Sequence, residues 1–434
     1  MNMQVTPAGK ARATHHVGFS SSEVEIYLSA VESVFNKIWL ESGDLNRIQK
    51  VWHRDDPLAT LELLALGHAI VTMSNIDSAW VKGIARKVRT DGNKTHGWIF
   101  ELIGAAMFAG AGMSVIPMPE NFPAYDAEIR FADGYKMNVS FKSHGMSAHE
   151  KGFQDGCKLL RNIAANKFRG VTPSFCLRVT CTNHLEKVRM DAVQDWVRML
   201  IGNIRRQDQR IDLGDTSMVW FAPIRGFQDI PLHPRYYSDT VQVFSRQHRR
   251  EQLRFEKNIQ EAEKKFSSIT RESNSCNVVV MRVHSTANIE LLATYARDLL
   301  NEPNCKVDAI WFYQPSVVRD INKTMLMHTL KPEIHPGRYG LGHQLKGKVL
   351  HGVISTKSSE LQIIGPHMTI PMPDSYVFQQ ADHYSSVTMD ALGAMNGIAS
   401  APAPGIRIHS VFDNLAGSVV LSGKFPDEDE LLII

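Results

Sequence analysis

FPAYDAEIRFADGYKMNVSFKSHG, residues 122–145, holds two alternating runs on either side of Ala132, Asp133 and Gly134. Three-residue hairpin loops with a glycine in the left-handed region are common, and such a loop sets Phe131 against Tyr135, Ile129 against Met137 and Ala127 against Val139. That pairing gathers one apolar face. The other face then carries Asp126, Glu128, Asn138, Ser140 and Lys142. Side chains alternate with a period of two, so a slip of one residue would set apolar against polar along the whole hairpin, and the pattern selects its own register. In that register Asp126 lies across from Ser140, with Lys142 two positions further on the same face.

Working outward, GWIFELIGAAMFAGAGMSV (97–115) places Ile99, Leu102, Ile103, Ala106 and Met107 at helical spacing, with Glu101 at the edge of that apolar face. Its small residues allow close approach to a sheet. Helix, hairpin, a second helix from Ser147 to Phe168, the β-rich 173–182, a helix from Leu185 to Ile204 and the strand TSMVWFAPI (216–224) indicate an α/β or α+β sandwich. Upstream, helical periodicity begins near Glu23 and continues through 57–73 and 75–89. The last of these ends in Lys82, Arg86, Lys87 and Arg89, a basic face that reads either as solvated surface or as a nucleic-acid contact. Downstream, 244–272 reads as a long charged helix, an arm or linker, whose Arg246, Arg249, Arg250 and Arg254 alternate with Glu251, Glu256 and Glu261 as a salt-bridged solvent face. A strand-helix-strand unit at 276–318 either extends the first sheet or forms its own domain. Short alternating runs rich in Gly and Pro follow it. The expected division is a helical region at 1–94, a core at 95–230, the charged segment at 231–275 and an α/β and β-rich region at 276–434.

A helix bearing Glu, a short apolar strand, Asp on the first strand of a hairpin and a final x-Lys on the second together resemble the PD-(D/E)xK nuclease superfamily, which includes restriction endonucleases and Holliday-junction resolvases. The matching positions are Glu101, Asp126 and Lys142. Tyr125 stands where a proline is common, and the motif's second acid falls at Ser140. The resemblance covers roughly Gly97 to Phe168. It implies a restriction endonuclease-like αβ sandwich core and Mg2+ (or Mn2+) dependent hydrolysis of DNA phosphodiesters. Asp126 and Glu101 would be ligands, and Lys142 would orient or help deprotonate the attacking water, which requires a partly desolvated amine of perturbed pKa. One subgroup of restriction enzymes shares the Ser-x-Lys arrangement and takes its missing acid from the following helix. Here Asp155 is preferred over Glu150, because Ser147 to Glu150 also spells a capping box. Glu128 is a third choice. His144 follows Lys142 closely enough to contact nucleic acid, and Gln154 and His149 are candidates for substrate or water. The expectation carries a geometric test: Glu101 and Lys142 must not end on opposite sides of the sheet.

Composition bounds the rest. Of the 434 residues 43% are hydrophobic and 21% charged, the balance of a globular chain. A net charge of +3 does not by itself signal a nucleic-acid partner. Five cysteines without a C-x-x-C pair argue against a disulfide framework or a structural zinc site. The start MNMQVTPAGKARATHH lacks an apolar signal region and no run of about eighteen apolar residues is evident, so a cytoplasmic protein without a membrane partner is expected. Gly342 to Val349 nearly spells a phosphate-binding loop, but Val349 replaces the metal-binding hydroxyl. Nucleases that cut both strands often act as dimers, so the resemblance suggests DNA as partner and a homodimer as assembly. The rival readings are a catalytically degenerate nuclease fold that binds nucleic acid or protein, and a scaffold whose 276–318 unit carries the interaction.

Overall fold

The hairpin forms as its pattern dictates. In a computed structural model, β4 (Ala127–Arg130) pairs with β5 (Lys136–His144) in the register Ala127↔Val139, Glu128↔Asn138 and Ile129↔Met137. The Phe131 N–H donates to the Tyr135 carbonyl at 2.9 Å, and Gly134 adopts φ +81°, a value that excludes most side chains. The structure describes residues 19–168, 176–199, most of 209–221 and 240–335, the short strands between 352 and 422, residues 431–434, and a two-residue pair β1 (Gln4–Val5) and β2 (Ala11–Arg12). The 342–349 loop lies outside them.

The chain is mixed α/β. Its largest sheet has seven strands in the order β13-β12-β11-β10-β5-β4-β3, adding β3 (Ser114–Pro117), β10 (Ser275–Val283), β11 (Ala309–Asp320), β12 (Lys323–Ile334) and β13 (Gly352–Ser355). The two pairs made by β10 are parallel, with β5 and β11, and the others are antiparallel. β10 is buried along its full length, which is why SCNVVVMRV reads as a nearly unbroken apolar run rather than an alternation. The unit at 276–318 therefore extends the first sheet, and the core drawn at 95–230 does not close without it.

One face of this sheet receives α5 (Thr95–Gly110), backed by α4 (Pro57–Thr90) and by α1 (Ser21–Phe35), α2 (Lys37–Glu41) and α3 (Arg47–His53). Capping boxes at Ser20 and Asn46 start α1 and α3, and Asp56 with Pro57 starts α4. At Asp77 α4 kinks, so the two stretches seen in the sequence are two helices in tandem. By length and composition Leu58–Thr90 could cross a membrane, contrary to the expectation that no such stretch exists; here 61% of its most apolar window is buried inside the protein. Gly104 lets α5 settle on β5, since a Cβ there would lie 2.4 Å from Phe141 Cε1.

The opposite face is covered by α8 (Arg250–Phe266) and α9 (Ile289–Leu300). Phe255, Ile259, Ala262 and Phe266 of α8 are buried against Val279 and Met281 of β10, so the charged segment is neither an arm nor a linker. A five-stranded sheet, β15-β9-β6-β8-β7, is built from β6 (Cys176–Cys181), β7 (Gln209–Asp212), β8 (Thr216–Phe221), β9 (Thr240–Arg246) and β15 (His383–Met389). It packs on α6 (Ala148–Phe168) and α7 (Lys187–Met199). β14 (Val377–Gln379), β16 (His409–Asp413) and β17 (Gly417–Ser422) form a third sheet. Leu431, Ile433 and Ile434 are buried, with Glu62 Oε1 accepting the Ile433 and Ile434 N–H groups at 2.9 and 3.2 Å and Arg282 donating to the Ile434 carbonyl at 2.5 Å.

Candidate active site

β4 ends at Ala127 while β5 runs on to His144, so residues 140–144 form a free edge beside β10. Asp126 stands at that step. Its N–H donates to the Val139 carbonyl at 2.8 Å and its carbonyl accepts from Met118 N–H at 3.0 Å, which fixes the backbone on both sides. The carboxylate is oriented as firmly: Oδ2 accepts from Ser140 Oγ at 3.1 Å and from Phe141 N–H at 2.7 Å. Oδ1 faces Lys265 Nζ of α8 at 3.2 Å. Ser140, fully buried, thus supplies a hydrogen bond where the family pattern has a charge.

Glu101, Asp126, Lys142, Lys265 and Glu261 all line one cavity of about 1000 Å3. α5 packs on the Phe141 side of β5, whereas alternation sends Lys142 to the α8 side, where its neighbour in β10 is Met281. Glu101 and Lys142 therefore lie on opposite faces of the sheet, the arrangement that the sequence reading set against an enzymatic site. They share a cavity because the site lies at the free edge, around which side chains from both faces reach.

Electrostatics couple the group. Burial, and then the negative charge of Asp126, push the Glu101 carboxyl up to about 8, against the pull of Lys87 and Lys265. Burial and the neighbouring Lys265 ammonium lower the Lys142 pKa, opposed by Asp126 and Glu261. Lys142 Nζ lies 3.9 Å from Glu261 Oε2. The Lys142 and Asp126 side chains are only 16% and 17% exposed, so water screens their charges weakly.

The other expected residues scatter. Arg86 and Lys87 line the cavity, Lys87 with an ion pair to Glu120 at 3.5 Å, whereas Lys82 and Arg89 are exposed elsewhere on α4. His144 is buried: its Nδ1 meets Asn258 Nδ2 at 3.1 Å, its ring lies edge-on to Phe255, and burial with nearby Arg254 holds its pKa well below the usual value. It is a packing residue and not a nucleic-acid contact. Glu150 is buried against His284, 3.2 Å away, and Asp155 is exposed on α6; neither lines the cavity. The reason is α6 itself, which turns Phe153, Cys157, Leu160 and Ala164 toward the five-stranded sheet and carries its acids away from the free edge. Glu128 is engaged by Arg130 at 2.5 Å and does not line the cavity either.

Lys265 and Glu261 were not foreseen. The signal was present in the spacing Phe255, Ile259, Ala262, Phe266, a single apolar stripe that forces α8 onto a core and aims its remaining faces at whatever lies beside it.

No family model, curated protein or solved structure matches this chain. Among the described residues no three His, Cys, Asp or Glu side chains are arranged around one metal position. A magnesium site does not require that: the ion keeps several waters and is commonly held by one or two carboxylates together with substrate phosphates. Glu101 and Asp126 fit such a water-rich site, and no all-protein cage is present among the described residues.

Proposed function

We propose that the chain is a metal-dependent nuclease with a restriction endonuclease-like core, acting on DNA at the free edge of β5. The observation that carries this reading is that Glu101 of a helix, Asp126 from the bend that leads into β4 and Lys142 of β5 open onto one cavity. Glu101 and Asp126 would hold Mg2+ or Mn2+, which supplies an acidified water and charge neutralisation at phosphate oxygens. Ser140 and the Phe141 N–H lock one oxygen of Asp126, and the other faces Lys265 at the cavity wall, which a cation would have to displace. Lys142, its pKa lowered by burial, can orient a water and accept part of its proton more readily than a solvated lysine. Arg86 and Lys87 on the cavity wall suit a phosphate backbone.

A second reading has its own support. Lys265 occupies the face of Asp126 that a cation would need, and Ser140 removes one acid, which favours a nuclease fold that binds nucleic acid without cutting it. Incubating the protein with plasmid DNA and Mg2+ or Mn2+, beside Asp126→Ala and Lys142→Ala, separates the two. Cleavage lost in both variants is expected. Cleavage that survives both would remove the site assignment, and binding with no cleavage by the wild type would select the second reading.

A further inference from the structure

A second cavity, of about 770 Å3, opens where α8 begins. It is lined by Arg189 from α7, Arg246 from the end of β9, Arg249, His184 and His248, with Glu186 and Glu251 as its acids. Arg246 and Arg249 precede α8, which starts at Arg250, so they do not belong to the salt-bridged helix face inferred from the sequence. Glu251 is already engaged by Ser147 Oγ and lies 3.8 Å from Arg254. Three guanidinium groups, from Arg189, Arg246 and Arg249, thus line the cavity together with the carboxylates of Glu186 and Glu251. Arg246 and Arg249 are exposed, and Arg249 makes no ion pair with a described residue.

Histidines build the adjoining wall. His149 of α6 stacks flat on His248, centroids 3.6 Å apart at 11°, and His184 meets both edge-on at 5.7 and 5.2 Å. Rings lying face to face do not aim their nitrogens at one centre, which agrees with the lack of a metal-like arrangement among the described residues. His248 Nδ1 accepts the Arg250 N–H at 3.2 Å, which leaves the ring proton on Nε2 as a donor. The chemistry of the pocket is that of planar forked cations plus neutral N–H donors, the set that matches phosphate oxygens.

The position of this cavity matters as much as its charge. The same helix that presents Glu251 here presents Glu261 and Lys265 to the candidate active site. Sixteen residues at a rise of 1.5 Å separate Arg249 from Lys265, the residue of α8 in contact with Asp126, roughly 24 Å along the helix. One strand of a duplex carries a phosphate about every 3.4 Å of axis, so the interval corresponds to roughly seven nucleotides. We propose that the arginine cavity at the start of α8 is a phosphate-binding subsite for the backbone of the same nucleic-acid strand whose scissile phosphate lies at Asp126. This rests on the nuclease reading for its choice of ligand, and it assigns Arg246 and Arg249 as anchoring residues roughly seven nucleotides from the reacting bond.

The test uses the full chain and fluorescent DNA hairpins with stems of about four and about sixteen base pairs, of which only the longer can span both cavities. Anisotropy in Ca2+ across a salt series compares wild type with an Arg246→Ala/Arg249→Ala variant whose thermal unfolding is unchanged. The expected result is about a tenfold loss of affinity for the long hairpin, a salt slope shallower by about two, and no change for the short one. Equal losses on both hairpins, or none, overturn the proposal. Stabilisation of the wild type by inorganic phosphate without a length-dependent loss also overturns it, assigning the pocket to a small phosphate. Length-dependent loss in a protein that never cleaves in Mg2+ keeps the subsite and refutes the nuclease, and a wild type that binds neither hairpin removes both.

Discussion

Metal affinity should depend steeply on pH through Glu101. Burial and the Asp126 charge raise that carboxyl to about 8, so near pH 7 roughly one molecule in ten carries it ionised. A divalent cation binds the carboxylate and must displace the proton. With a single competing proton the apparent affinity scales with the ionised fraction, about 1% at pH 6 and about half at pH 8, a gain near fifty-fold across that interval, flattening above pH 8. Calorimetric titration with Mn2+ at pH 6, 7, 8 and 9, without nucleic acid, measures it directly. Glu101→Gln should bind more weakly and lose the pH dependence, and Asp126→Ala should not bind measurably. A wild-type profile flat from pH 6 to 8, or one that Glu101→Gln reproduces, would refute the claim that these two carboxylates share one cation.

Two further outcomes follow from other buried acids. Glu62 is buried and raised to about 7 from an ordinary 4.5, so the folded state holds its proton more tightly than the unfolded state does, and stability should fall as pH rises from about 4.5 to 7 and then level off. A shift of that size corresponds to on the order of 3 kcal/mol; urea unfolding at pH 5 and 7.5 should show that loss in the wild type and little of it in Glu62→Gln, and equal slopes would remove Glu62 as the cause. Ser140→Asp would set a second carboxylate against Asp126, at a cost of about 3 kcal/mol or more without metal. Mn2+ should restore that stability and bind at least tenfold more tightly than to wild type; a variant destabilised to the same extent with and without Mn2+ would show that the site does not gather cations.

How much of this could be read from the sequence depended on how many faces of each element are buried. The hairpin has one apolar and one polar face, so its alternation fixed the Asp126–Ser140 pairing and the Gly134 turn without tertiary information. β10 is buried on both faces, and its mostly apolar run lacks the alternation that would mark one face, which is why the 276–318 unit could not be assigned to a sheet. In α8 the four apolar residues of the buried stripe are diluted by charges, so the segment resembled a solvent-exposed arm although its spacing marked a core face. Asp155 and Glu150 failed for a different reason. Proximity in sequence to Lys142 suggested proximity in space, but α6 belongs to the neighbouring sheet's core.

The balance of charge at the free edge gives the decisive physical question its form. Ser140 carries no charge and Glu128 is held by Arg130, so Asp126 is the hairpin carboxylate that lines the cavity, and Lys265 sits 3.2 Å from it. With Glu101 largely protonated near neutral pH, a metal arriving alone meets two lysines and must displace both a proton and an ammonium group. On the proposed reading a phosphodiester bound together with the metal would change that contest, because its negative charge would attract Lys142 and Lys265 and its oxygens would serve the cation as ligands. On the proposed reading, metal and nucleic acid then bind as a unit, each weak without the other. Lys265 lies 3.2 Å from Asp126, and on that reading its release to the substrate phosphate would be the step that separates a working nuclease from one that only binds.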